Sequence, residues 1–165
     1  MTARSEALFD RTEVETFLVD EADLLDKRRF EEWHNLFDED GYYWAPLRPG
    51  QESPEDEVSI FYDDRDAMAT RIARLRHPRI HSQSPPTRTC RIVANVRIET
   101  VDAEERICIA ASKLIMADYR QGEQRVFAAS VRHKLRRKEN DYLIAWKKVE
   151  LINCDDVFDL IAVPF

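Results

Sequence analysis

The feature that most limits what this chain can fold into is a change of hydrophobic period at Arg88. Upstream of it, apolar residues recur at helical steps; downstream they alternate at period two. Ile92, Ala94, Val96 and Ile98 alternate with Arg91, Asn95 and Arg97. Ile107, Ile109, Ala111 and Ile115 continue the alternation in a second run, and Phe127, Ala129, Val131 and Leu135 in a third that faces outward through Arg132, Lys134 and Arg136. Tyr142, Ile144 and Trp146 begin a fourth run, reaching about Ile152. Successive side chains on a strand point to opposite faces, so each run predicts a half-buried strand. The connections Asp102-Ala103-Glu104-Glu105, Gln121-Gly122-Glu123 and Glu139-Asn140-Asp141 are short and polar, as hairpin loops are. The second half of the chain therefore predicts a meander of long antiparallel strands.

The first half predicts helices. Val14, Phe17, Leu18, Ala22 and Leu25 lie at three- and four-residue steps, with Thr12 placed as N-cap and Glu15 three residues on. Phe30, Trp33, Leu36 and Phe37 form the stripe of a second helix, which Gly41 ends; Tyr42 to Ala45 then read as a first strand. Pro46, Pro49, Gly50 and Pro54 punctuate a loop to about Glu57. Asp63 or Asp64 opens a third helix that buries Met68, Ile72 and Leu75 and carries Arg71, Arg74 and Arg76 toward its C-terminus, where cations suit the helix dipole. His77-Pro78 stops it. Helices followed by a strand meander give an α+β class, a curved antiparallel sheet wrapped on the N-terminal helices. At 165 residues the chain is read as one domain, 1–165, with about 1–10 as a flexible N-terminal arm.

Several function classes are set aside. No apolar run approaches the roughly 20 residues that span a bilayer, and the N-terminus has no apolar signal core, so a cytoplasmic protein without membrane contact is expected. Cys90, Cys108 and Cys154 are odd in number and widely spaced, unlike a disulfide framework or a metal knuckle. Residues 1–66 carry 20 acids against 7 bases, a balance of −13, and residues 67–165 carry 12 against 18, a balance of +6. The acidic half would repel phosphate, so the asymmetry reads as complementarity within or between subunits rather than as nucleic-acid binding.

Three stretches carry a family resemblance: Phe30-Glu31-Glu32-Trp33; Ile60-Phe61-Tyr62-Asp63-Asp64-Arg65, followed by Arg71-Ile72-Ala73-Arg74-Leu75; and Ser84-Pro85-Pro86-Thr87-Arg88-Thr89-Cys90-Arg91-Ile92-Val93-Ala94-Asn95-Val96. They resemble the small (beta) subunits of aromatic-ring-hydroxylating dioxygenases, within the nuclear-transport-factor-like, cystatin-like superfamily of cone-shaped α+β folds. One departure is the loop His81-Ser82-Gln83, where members carry a Trp shortly before the Pro-Pro pair. The resemblance implies a heterohexamer of three large (alpha) and three small subunits, with a trimer of the small subunit alone as an alternative. It also implies that the large subunit holds a Rieske iron–sulfur cluster and a mononuclear iron. Electrons would come from NADH or NADPH through a reductase, often with a ferredoxin.

The residues can be weighed against that chemistry. A Rieske centre needs two Cys and two His, and a mononuclear oxygenase iron needs two His and a carboxylate. The four His are His34, His77, His81 and His133, and no Cys-x-His pair exists. Pro78 interrupts the one close pair, His77 and His81. No catalytic, cofactor or metal residue is therefore expected in this chain, and its role is structural. The alternative is a stand-alone hydratase or isomerase, or a small-ligand-binding dimer, using the cone interior; Asp26, His34, Tyr43 and Tyr62 are then the candidate residues. Candidates for subunit contact are Tyr62, Asp64, Arg65, Pro85, Pro86, Arg88, Arg91 and Arg97. Of these, Asp64 and Arg65 also read as a local cap and ion pair, and alternation places Arg91 and Arg97 on one face. Trp33, Trp44 and Trp146 are expected in the core.

Overall fold

In the computed structural model, described for residues 8–79, 83–158 and 161–165, two helices lead into the sheet: α1 (Arg11–Asp26) and α2 (Phe30–Asn35). β1 (Phe37–Pro46) and β2 (Ser59–Asp64) follow, then α3 (Arg65–Arg76). Four long strands complete the fold: β3 (Arg88–Asp102), β4 (Ile107–Arg120), β5 (Glu123–Lys138) and β6 (Asp141–Leu151). The six strands form one curved, unclosed sheet in the order β2-β1-β6-β5-β4-β3. Every neighbouring pair is antiparallel except β1 and β6, which run parallel, so the expected all-antiparallel sheet is corrected at that seam. The α+β class and the four-strand meander are as expected. Among the described residues, no helix is long and apolar enough to cross a membrane.

Several boundaries move, each for a local reason. The N-cap of α1 is Asp10, not Thr12: its carboxylate accepts from the N–H groups of Thr12 at 2.8 Å and Glu13 at 3.1 Å. Phe9 is buried in the core beside Tyr142, so the chain is anchored before residue 10. α2 stops at Asn35, and Phe37 already belongs to β1. Gly41 does not end a helix but sits inside β1, at an irregularity between Phe37 and Tyr42. A Cβ there would come within 2.8 Å of the Ile144 carbonyl oxygen and 2.9 Å of the Asp38 carbonyl oxygen. β2 occupies the stretch between the expected loop and the expected helix start, and takes in Asp63 and Asp64; its last residue, Asp64, caps α3 through Ala67 N–H at 2.8 Å.

The largest correction concerns which face β3 and β4 bury. Asn95 takes a left-handed conformation, φ 56°, inside a break of register between Ala94 and Arg97. Such a bulge inserts one residue and reverses the alternation. Before it, Arg91 and Val93 point inward and Ile92 points out, 59% exposed; after it, Val96 and Ile98 point inward. On β4 the inward set is Cys108, Ala110, Ser112, Leu114 and Met116, with Ile115 outside. The phase assigned to β5 is as expected.

Candidate functional site

The inner face of the sheet and the helices enclose a core that is apolar except at its centre. There, Glu21 of α1, His133 of β5 and Lys147 of β6 meet, each with a side chain no more than 4% exposed. Each lies in the apolar phase of its element: Glu21 on the stripe with Leu18 and Leu25, His133 between Val131 and Leu135, Lys147 beside Val149. The Glu21 carboxylate accepts from Lys147 Nζ at 2.8 Å and Trp33 Nε1 at 2.9 Å on Oε1, and meets His133 Nε2 at 2.9 Å on Oε2. Burial pushes the Glu21 carboxyl up, but the charges of Lys147 and His133 and their hydrogen bonds outweigh it, holding the group well below the usual carboxylate range. Burial lowers both partners, His133 and Lys147, against the pull of Glu21. A carboxylate at Oε2 requires the proton of a neutral His133 on Nε2, which leaves Nδ1 as an acceptor without a partner in the structure.

Arg91 forms the second layer of this polar core. Its guanidinium bonds Asp26, Thr89 Oγ1 at 2.8 Å and the carbonyl of Pro164 at 2.5 Å. Asp26 also accepts from Thr89 Oγ1 and the Arg91 N–H, both at 2.8 Å. The segment after β6 returns to close the interior. The Phe165 N–H donates to Tyr43 Oη at 3.0 Å, its carbonyl accepts from Lys147 at 3.0 Å, and its ring packs on Phe127 and Phe61 at 5.3 and 6.0 Å. Beside Arg91, Glu21, His133 and Lys147 the remaining cavity is about 10 Å³. That is the lower limit for a single water and far below the several hundred Å³ of a small-molecule site.

The four residues considered for a cone active site are not brought together. Asp26 is held by Arg91 and Thr89. His34 Nε2 lies 2.9 Å from the Arg65 carbonyl on the helix side, and Tyr43 is buried against Phe165. Tyr62 stands exposed on the outer face, edge-on to Tyr42 at 5.6 Å. Sequence reasoning missed Glu21, His133 and Lys147, although ionisable residues in the inward phase were the available signal.

The contact candidates also separate. Arg65 turns inward to the carbonyls of His34 at 3.1 Å and Phe37 at 2.5 Å, tying α3 to α2 and β1. Arg91 and Arg97 do not share a face: the Asn95 bulge buries the Arg91 side chain to 1% exposure and leaves that of Arg97 at 62%. Tyr62, Asp64, Pro85, Pro86, Arg88 and Arg97 are exposed, Arg88 lying over the Tyr119 ring at 4.8 Å. Trp33 and Trp44 are buried as expected, Trp44 with its indole N–H on Ser59 at 2.9 Å, whereas Trp146 is only half-buried.

Among the described residues, no three His, Cys, Asp or Glu side chains gather as a metal site, and His81 lies outside them. Cys108 and Cys154 are buried, and burial pushes the Cys108 thiol up to about 12. Such a thiol is a core residue, not a thiolate ligand. This donor set does not fit a Rieske centre.

Residues 20–155 match the ring hydroxylating beta subunit family. The chain belongs to that family. Among curated relatives, it is 32% identical over 144 residues to the small oxygenase component of the p-cumate 2,3-dioxygenase system of Pseudomonas putida, covering 86% of this chain and 79% of that one. The fold matches the beta subunit of benzoate 1,2-dioxygenase from Burkholderia mallei with TM-score 0.76 at 24% identity, over 94% of this chain and 98% of that one. It also matches an NTF2-like protein with a cystatin-like fold from Novosphingobium aromaticivorans with TM-score 0.61 at 18% identity, covering 92% and 87%. The expected cystatin-like fold and the expected beta-subunit family are both found.

Proposed function

We propose that this beta subunit is a non-catalytic scaffold of an aromatic-ring-hydroxylating dioxygenase, folded as one domain and working in the cytoplasm. Its interior carries that reading. In a fold whose cone would be the place for a substrate, side chains of α1, β3, β5 and β6 and the Val163–Phe165 segment fill the space, leaving about 10 Å³. The partner is the large (alpha) subunit, in a three-plus-three heterohexamer in which the small subunits hold large subunits at fixed spacing. The large subunit carries the Rieske cluster and mononuclear iron and supplies the oxygen chemistry. NADH or NADPH feeds electrons through a reductase, with a ferredoxin where one is used. Fixed spacing matters because electrons pass between neighbouring large subunits in such an assembly. Tyr62, Asp64, Pro85, Pro86, Arg88 and Arg97 are the exposed candidates for contact.

Co-expression with the large subunit, followed by size exclusion, light scattering and iron analysis, tests this. The expected result is a mixed complex of about six chains, with iron in the complex and none in the small subunit alone. A small subunit that ignores the large one, or converts an arene alone, would sink the proposal.

A further inference from the structure

The segment after β6 that returns into the cone is held the way a ligand is held. Residues 161–165 form neither helix nor strand, yet Val163, Pro164 and Phe165 are all buried. Among the described residues, no backbone–backbone hydrogen bond reaches them. Buried backbone groups need partners, and here side chains supply them. Arg91 Nη2 donates to the Pro164 carbonyl at 2.5 Å, the Phe165 N–H donates to Tyr43 Oη at 3.0 Å, and Lys147 Nζ donates to the Phe165 carbonyl at 3.0 Å. β3, β1 and β6 thus contribute one contact each. The Phe165 ring lies edge-on to Phe61 and Phe127 at 6.0 and 5.3 Å, and Tyr43 packs on Phe61 at 5.8 Å.

Each of these side chains keeps a second partner in the body of the fold. Arg91 also bonds Asp26 and Thr89, Lys147 also bonds Glu21, and Tyr43 packs edge-on to Trp33 at 5.8 Å. Unseating the segment would break no strand ladder and would leave neither cation unpaired, so the frame of the site does not depend on its occupant. Half-buried Ala162 lines an open polar cleft of about 290 Å³ with Thr87, Asp118 and Arg125. The segment therefore meets solvent just before it enters the cone.

The contacts define what the site reads. A guanidinium meets an acyl oxygen, a phenol oxygen meets an N–H, an ammonium meets a second carbonyl oxygen, and Phe61 and Phe127 box an aromatic ring. Few, placed polar groups around an apolar box are the ordinary make-up of a small-molecule site, and this set matches an N-acylated aromatic amino acid.

We propose that residues 161–165 are a releasable strap seated on a preformed site, and that this site binds an N-acylated aromatic amino acid when the strap is out. The site belongs to this chain alone, so its test is independent of the scaffold reading. Segments tied by few contacts open below the free energy of global unfolding, and the strap opens in that way while the sheet stays paired. With the strap seated, the interior keeps only its cavity of about 10 Å³. With it out, the place of the Phe165 ring and the three polar contacts become free to a ligand.

Hydrogen exchange on the full wild-type chain tests the strap. After correction for intrinsic rates, the Phe165 amide is expected to exchange about tenfold faster or more than those of Val131 and Val149, which face each other across β5 and β6. A Phe165 amide that exchanges only as fast as those two opens with the whole fold, and overturns the proposal. Binding is read on Phe165→Ala, which removes the ring and loosens the strap, with circular dichroism as the check on folding. N-acetyl-L-phenylalaninamide at millimolar concentration should raise the melting temperature of this variant by about 4 °C. Its D-enantiomer and N-acetylglycinamide should each raise it by less than about 1 °C, and the wild type, whose strap fills the site, should shift as little. A folded Phe165→Ala that the L-compound does not stabilise overturns the proposal. Equal shifts by the L- and D-compounds, or a wild type that shifts as much as the variant, overturn it too, because the compound then binds without the three polar contacts or binds elsewhere. If Phe165→Ala does not fold, Phe165→Leu takes its place, with the same expectation and the same refutation.

Discussion

At the residue scale, the buried Glu21–Lys147–His133 cluster makes the sharpest demands. Glu21→Ala would leave Lys147 and His133 without their shared acceptor in a buried site. Breaking a buried pair in this way typically costs about 3–5 kcal/mol, whereas Glu21→Gln with Lys147→Met should cost clearly less than the sum of the single changes; urea denaturation of the wild type and the four variants (Glu21→Ala, Glu21→Gln, Lys147→Met and the double change) measures both. The cluster also sets a pH dependence. His133 is lowered by burial, so as pH falls through its ordinary 6.5 the unfolded chain takes up the proton first and stability drops. Glu21 is lowered overall, so its contribution is present above 4.5 and is lost as pH falls below that value toward its folded pKa. Both signs agree: the urea midpoint should fall between pH 8 and pH 4, and the part below 4.5 should shrink in Glu21→Gln. A flat profile would contradict the coupling. Phe165→Ala removes a ring packed on Phe61 and Phe127 and should cost about 3 kcal/mol, read as a lowered melting temperature.

At the element scale, two corrected boundaries give paired tests. Asp10→Ala should destabilise by about 1 kcal/mol, the ordinary worth of an N-cap, while Thr12→Ala should change little; thermal melts separate them. Asn95 holds the left-handed residue of the β3 bulge, so Asn95→Gly should be nearly neutral and Asn95→Val should lose about 1–2 kcal/mol. The element pattern was legible because periods of 3.6 and 2.0 are imposed by the backbone itself, which is why α1, the buried face of α3 and the four long strands emerged from spacing alone. Phase was less legible. On β4 both alternating sets are mostly apolar, so Ile109 and Ile115 compete with Cys108, Ala110 and Leu114 for the inward side, and Lys113 alone marks the outward one. On β3 an Asn inside a strand was the one visible mark of the bulge that sends Arg91 inward and Arg97 outward. β2 was hidden because its pairing partner is β1, and cross-strand pairing leaves no local period in six residues.

At the scale of the whole molecule, the chain has turned the interior of its cone into core. The polar groups there serve each other: Arg91 and Asp26 lock β3 to the end of α1, and Lys147 and Tyr43 hold the Phe165 backbone. What the sequence lacked was any sign of this pairing, since Glu21, His133 and Lys147 are more than 100 residues apart at their widest. The outer surface, in contrast, keeps Ile92, Ile115, Val126 and Ile152 exposed. Under the proposed scaffold role, the work of the protein is done at its surface. The direct measurement is turnover per iron of the assembled dioxygenase, built with the wild-type small subunit or with Asp26→Asn, His34→Gln, Tyr43→Phe or Tyr62→Phe. A scaffold with a filled interior predicts that every variant that assembles turns over within about twofold of the wild type. An assembled complex of full iron content that loses ten-fold or more in turnover through one of these changes would contradict it, and would place chemistry inside this subunit.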